Sequence, residues 1–246
     1  MANFLTIYIT LNLCLLCTYP SIINAARTVD SLVACLQRNK VLNYTTPSSS
    51  TSFNAVLDFS MQNLRFKEAG VSKPGAIILP STTKEVQSTW ACVRDGGWAL
   101  RVRSGGHSYE GLSSTASTPF VIIDLMNMHA ITVNVAKKFV WVESGVRLGE
   151  LYYAIASASS NLLGLSAGTC ATIGIEAQVI TANGSLIKKV STTDPDLFWA
   201  LRGGGGDPEL FIGIGRHLFR SSIYPELGLT ASDCKQGYWI EEKGFW

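Results

Sequence analysis

The chain has 246 residues, of which 47% are hydrophobic and 15% charged, so it can bury one large core or two small ones. A net charge of +2 gives no reason for binding to nucleic acid or to an acidic membrane surface. Three histidines without close pairing, and no paired-cysteine spacing after the N-terminal segment, argue against a metal site.

Phe4 to Cys17 is almost continuously apolar, and the small pair Ala25-Ala26 follows. The run is shorter than the roughly 20 residues of a membrane span. It suits a secretory signal over residues 1–26, cleaved near Ala25 or Ala26; an N-terminal strand or buried helix is the competing reading. Pro47 to Ser52 is polar and reads as a loop. Ala76 to Leu79 reads as a buried strand. Thr82 and Glu85 have capping-box spacing and open a helix to about Arg94, which Gly96-Gly97 ends. Ala99 to Arg103, Phe120 to Ile123 and Phe139 to Glu143 are further strands, and Leu148 to Ala158 is a helix. Glu176 to Thr181 is another strand. Asp194 caps a short helix with Pro195 in its first turn and Gly203 at its end. On that helix Phe198 and Trp199 read as core packing. The β-α-β-β-β-α order predicts an α+β domain, not a doubly wound nucleotide fold. No G-x-G-x-x-G follows a strand.

Two glycine-flanked loops carry the chemistry. Arg103-Ser104-Gly105-Gly106-His107-Ser108-Tyr109-Glu110-Gly111 sets one histidine in a tight turn directly after a strand. Paired glycines let backbone approach a ligand closely, and a neutral imidazole can act as base, ligand or nucleophile. Taken alone, the run reads first as a turn. Gly168-Thr169-Cys170-Ala171-Thr172-Ile173-Gly174 places a cysteine in the second loop. Cys35, Cys92, Cys170 and Cys234 lie beyond the leader, and four cysteines allow three pairings. Cys170 therefore reads either as a reactive thiol or as a disulfide partner of Cys234 or Cys92. Asn43-Tyr44-Thr45 and Asn183-Gly184-Ser185 are glycosylation sequons.

Together these loops resemble those of the berberine-bridge-enzyme-like (reticuline-oxidase-like) plant flavoproteins. Four further runs match in order: Asp124 to Met128, Gly145 to Tyr152, Asp196 to Gly206 and Tyr224 to Leu229. The resemblance implies a two-part FAD-binding domain of vanillyl-alcohol-oxidase (PCMH) type. It implies one FAD held by two covalent bonds, through His107 and Cys170. It places Tyr109 along the isoalloxazine and makes Ser104, Gly105, Gly106 and Ser108 backbone donors to the cofactor phosphates; consecutive loop amides form an anion nest. Gly168, Thr169 and Gly174 are expected beside the same cofactor, and Arg202 to Gly206 is expected to be a cofactor-side turn. Arg103 reads as a phosphate partner or as a solvated strand-end charge. The resemblance also pairs Cys35 with Cys92, leaving Cys170 for the flavin and Cys234 unpaired.

The implied reaction is hydride abstraction from a small alcohol, amine or sugar, with dioxygen as acceptor, by a secreted monomer of the extracellular space or cell wall. Ile173 stands where the resemblance places a gate for dioxygen, so oxidase and dehydrogenase both stay open. Ala171 replaces the proline of the family pattern. The pattern is also interrupted after Ile175 and after Gly206. The expected domains are 27–206 for FAD binding, internally deleted after Ile175, and 207–246 as a remnant of a substrate domain. No residue is assigned as the catalytic base. A remnant without turnover is the alternative reading.

Expression in a eukaryotic host should return a chain that begins near Ala26 or Arg27. N-terminal sequencing of an uncleaved cytosolic product would contradict the leader.

Overall fold

The computed structural model describes residues 27–61, 63–165, 167, 170–172, 179–180, 183–187, 210–211, 213–217 and 219–220. The expected leader (1–26), Gly168, Thr169, Ile173, Gly174, the helix expected over Asp194–Gly203, the turn expected over Arg202–Gly206 and Cys234 lie outside them. So does most of the Glu176–Thr181 strand.

Helix α1 (Val29–Arg38) opens on Thr28, whose hydroxyl accepts a hydrogen bond from the Ser31 amide. Leu32 and Leu36, four positions apart, are its buried stripe. Each stabilises by about 2 kcal/mol relative to exposure. Strand β1 (Tyr44–Thr45) follows, then helix α2 (Ser50–Phe59). The polar stretch read as a loop thus runs into a helix at Ser50. Ser50, Thr51 and Ser52 are weak helix formers, but Phe53 and Leu57 are buried one turn apart, and that packing decides the matter.

Strand β2 (Ile77–Ile78) and helix α3 (Thr83–Asp95) occupy their predicted places. Thr82 Oγ1 accepts from the Glu85 amide, and the Glu85 carboxylate accepts from the Ser81 amide. The helix ends at Gly96, and Gly97 turns the chain with φ of 66°. Strands β3 (Ala99–Arg103), β4 (Phe120–Asp124) and β6 (Phe139–Glu143), and helix α4 (Leu148–Ser159), also fall where the sequence predicts. Strand β5 (Ile131–Asn134), absent from the sequence reading, pairs antiparallel with β6.

Strands β1, β2, β4 and β3 form a mixed sheet in that order, with parallel β2–β4 and β3–β4 pairs. All five residues of β4 are buried, because both faces of the sheet are covered. Val121 packs with Leu32, Leu36 and Val93 on the α1 and α3 side. Phe120 and Ile122 pack with Phe53 and Leu57 on the α2 side. A second core joins Val140 and Val142 of β6 to Leu151, Tyr152 and Ile155 of α4. Strand β11 (Gly213–His217) pairs with β6 to complete the sheet β11-β6-β5. Five short strands remain among the described residues: β7 (Leu163–Gly164), β8 (Val179–Ile180), β9 (Leu186–Ile187), β10 (Leu210–Phe211) and β12 (Phe219–Arg220), the last pairing with β7. The chain is α+β, as its element order predicts.

Cys35 of α1 is bonded to Cys92 of α3, closing 57 positions of chain. The cross-link stabilises by about 4 kcal/mol in the chain-entropy treatment. Non-reducing peptide mapping should recover this pair, and Cys35→Ser should lower stability by an amount of that order. Recovery of a Cys35–Cys170 peptide would contradict it.

The Arg103 guanidinium and the Asp124 carboxylate meet at 2.6 Å with no exposed side-chain surface. Removing one partner strands the other in a dry interior. Asp124→Ala should cost about 3–5 kcal/mol in denaturant unfolding. The paired replacement Arg103→Met with Asp124→Leu should cost less than either single truncation.

Candidate cofactor site

Strand β3 delivers Arg103 and then the glycine turn. Arg103 is 1% exposed. Its guanidinium donates to Asp124 Oδ2 at 2.6 Å and to the carbonyls of Leu57 and Val56, both at 2.7 Å. This corrects both sequence readings of the side chain, which needed an accessible guanidinium. The protein covers it, and its acceptors are the end of α2 and the end of β4. It is a structural clamp, not a solvated charge or a phosphate partner.

Gly106 sits at φ of 72°, and a Cβ there would lie 1.8 Å from the Ser60 carbonyl oxygen. Only glycine fits this turn against the end of α2. The Ser104 hydroxyl donates to the Ser144 carbonyl. The Ser108 hydroxyl accepts from the Leu112 amide at 3.0 Å and tightens the return of the loop. The Tyr109 carbonyl accepts from Asn63 Nδ2 and Arg65 Nη2, at 3.2 and 3.4 Å. The Tyr109 side chain is exposed.

The second loop is held by α4. The Gly149 amide, in the first turn of that helix, donates to the Ala171 carbonyl at 2.8 Å. A Cβ on Gly149 would stand 3.0 Å from the Ala171 side chain. The Glu150 carboxylate accepts from the Arg147 amide and fixes the same helix end. The loop is therefore pinned at Ala171 by a main-chain bond that needs no side chain there.

The two loops meet. His107 Nε2 lies 2.7 Å from Thr172 Oγ1, across 65 positions of sequence. Cys170 Sγ lies 3.6 Å from the same oxygen. The imidazole is half-buried and the thiol is exposed. Thr172 was quoted in the loop pattern but given no role by sequence reasoning. Its signal was its place two residues after Cys170, which a loop turn brings back beside the thiol.

A cavity of about 210 Å³ opens beside this meeting point, lined by Val102, the run Ser104 to Ser108, and Ser113. The Ser113 hydroxyl is buried in its wall with no hydrogen-bond partner among the described residues. An orphaned hydroxyl in the wall of a glycine-turn cavity is a group that a polar ligand satisfies. A cavity of this size takes one moiety of a dinucleotide, and a glycine turn admits it closely. The described residues therefore fit part of an FAD. Nothing in the sequence marked Ser113; its position depends on the turn at Gly111, which has φ of 69° and rests on the Phe66 ring.

Tyr152 is fully buried, and burial pushes its phenol above the ordinary value near 10. It stays neutral inside the second core. Among the described residues, no group of histidines, cysteines and carboxylates could hold a metal ion.

The family described as FAD binding domain matches residues 74–190. Reticuline oxidase of Eschscholzia californica is 42% identical over 214 residues, covering 76% of this chain and 39% of that protein. The solved structure of berberine bridge enzyme from the same plant superposes with a TM-score of 0.70 at 40% identity, covering 77% of this chain and 43% of the other. Phl p 4.0202, a glucose dehydrogenase, superposes with a TM-score of 0.69 at 34% identity, covering 77% and 44%. The chain thus spans about two fifths of the length of the curated relatives it matches. With the two glycine turns meeting at Thr172 and this identity spread over three quarters of its length, the chain belongs to the berberine-bridge-enzyme-like family of FAD-linked oxidoreductases.

Proposed function

We propose that this chain is the FAD-binding part of a secreted flavoprotein oxidase, in which His107 and Cys170 both bond covalently to one FAD. The observation that carries the reading is the shared contact of both side chains with Thr172 Oγ1. His107 lines the cavity, and Cys170, from a distant segment, is brought near it through the same hydroxyl, where a single planar ring could reach both. FAD would supply the two-electron acceptor chemistry.

The chain's own residues bind and orient. The Ser104–Ser108 backbone lines the cavity and lies close to whatever fills it. Gly105 and Gly106 admit that approach, and Ser113 offers a hydroxyl. The Tyr109 ring, carried on the same loop, is exposed and available to stack on the cofactor. Gly168, Thr169 and Gly174, outside the described residues, complete the second loop in this reading. The substrate is a small alcohol, amine or sugar, and dioxygen is the acceptor. In this reading residues 27–206 form the FAD-binding domain, and the described strands of the 207–246 segment pair onto it before the chain passes to a substrate domain.

The apolar run at the N-terminus and the Cys35–Cys92 bond, a cross-link that persists in oxidising compartments, support secretion in this reading. Asn43 and Asn183 are both exposed and open to glycosylation. Among the described residues, no helix is long and apolar enough to cross a membrane. In this reading the protein acts as a monomer.

A second reading has an observation of its own. The cavity lining carries no carboxylate among the described residues, and His107 is its only titratable side chain. A chain that binds flavin without turnover fits that wall equally well.

The test is the absorption spectrum of the purified chain before and after acid precipitation. Flavin absorbance should stay with the pellet in the unmutated chain, in His107→Ala and in Cys170→Ala. It should leave with the supernatant only in the double variant. Release from the unmutated chain would overturn covalent attachment; retention without peroxide formation would select the second reading.

A further inference from the structure

We propose that Thr172 is a positioning residue whose hydroxyl couples the Cys170 thiol to the His107 imidazole and so prepares the thiol as a nucleophile. The inference rests on the reading of His107 and Cys170 as anchors, but concerns the chain before any cofactor is attached.

The geometry is a three-membered array. Thr172 Oγ1 lies 2.7 Å from His107 Nε2 and 3.6 Å from Cys170 Sγ. Both are hydrogen-bond distances for their atom types, the longer one because sulfur is large. A hydroxyl carries one proton and two lone pairs. It can therefore donate to one neighbour while it accepts from the other, and the array has only two directions.

In the first direction the thiol donates to the hydroxyl, and the hydroxyl donates to Nε2. In the second, Nε2–H donates to the hydroxyl, and the hydroxyl donates to sulfur. Two proton shifts convert one into the other. The S–H bond breaks as a new Thr172 O–H bond forms. The original Thr172 O–H bond breaks as an Nε2–H bond forms. The products are a thiolate that accepts from the hydroxyl and an imidazolium that donates to it. No electron pair leaves the array and no oxidant is needed.

Thiolate, not thiol, is the nucleophile. Thr172 Oγ1 touches both the sulfur and the imidazole, and is a group through which they act on each other. The loops are fixed well enough to keep this geometry. Gly106 is locked against the Ser60 carbonyl, and Ala171 is held by the Gly149 amide at 2.8 Å.

The probe is iodoacetamide, applied at pH 7 to the full chain produced under riboflavin limitation. Alkylation is followed at the Cys170 peptide by mass spectrometry, so other thiols do not contribute. Thr172→Val should slow alkylation about threefold, the order expected for losing one hydrogen bond to a partly exposed charged group. Thr172→Ser should restore the rate, because it keeps the hydroxyl and drops only a methyl. His107→Gln should slow it to a similar degree. Adding Thr172→Val to that background should change little further, since both act through one array. Equal rates in Thr172→Val and the unmutated chain would overturn the proposal. So would failure of Thr172→Ser to restore the rate while its circular dichroism and melting match the unmutated chain. Loss of covalent flavin in the spectral test, with this alkylation pattern intact, would reject the anchoring reading and leave the array standing.

Discussion

The buried pair of Arg103 and Asp124 is the interaction on which the rest of the site depends. An ion pair in a dry interior is costly to desolvate, and it persists only where its remaining hydrogen-bond capacity is met. Here it is met from several sides. Arg103 adds two carbonyls at the end of α2, and Asp124 Oδ1 accepts from the Met126 amide. One charge pair thereby fixes the end of β3, the end of β4, the turn after β4 and the end of α2. Gly106, three residues beyond Arg103, can then lie flat on the Ser60 carbonyl. The position of His107 follows from that seat.

The same junction joins the two cores. The turn after β4 presents the Leu125 carbonyl, and a Cβ on Gly145 would lie 1.9 Å from it. Gly145 donates its amide to Met128, while the neighbouring Ser144 carbonyl accepts from Ser104. The sheet of β5 and β6 is thus locked onto the glycine turn of the first sheet. Helix α4 starts three residues after Gly145 and reaches the cysteine loop through Gly149. The Arg147 guanidinium stacks 4.7 Å above the Phe59 ring and ties the same helix start to α2. The site is a seam between two packed halves, and each half contributes one of the two side chains that meet at Thr172, His107 and Cys170.

That arrangement divides the labour between rigid and exposed parts. Arg103, Asp124 and Ser144 are buried. Thr172, Cys170 and Tyr109 face solvent. A covalent anchor needs its nucleophile held within a fraction of an ångström, and buried neighbours supply that restraint. It also needs an open face through which the ligand arrives. Such seams between packed elements are common settings for cofactor sites.

The amino-acid sequence by itself determined the elements whose signals are local. The capping residues Thr82 and Glu85, the apolar run of β4 and the alternation of β6 each act over a few residues, so their pattern was readable. The two loop motifs were readable too, because glycine, histidine and cysteine at fixed spacing restrict backbone and chemistry directly. Helix α2 was not readable, since its serine-rich start disfavours a helix and only Phe53 and Leu57 packing under β4 repays it. The role of Arg103 was misread for the same reason: a strand-end arginine is solvated unless something distant covers it, and Asp124, Val56 and Leu57 do. Thr172 and Ser113 acquired their places only from tertiary structure. Hydrogen bonds across 65 positions leave no trace in local sequence. They exist because the two halves pack against one another.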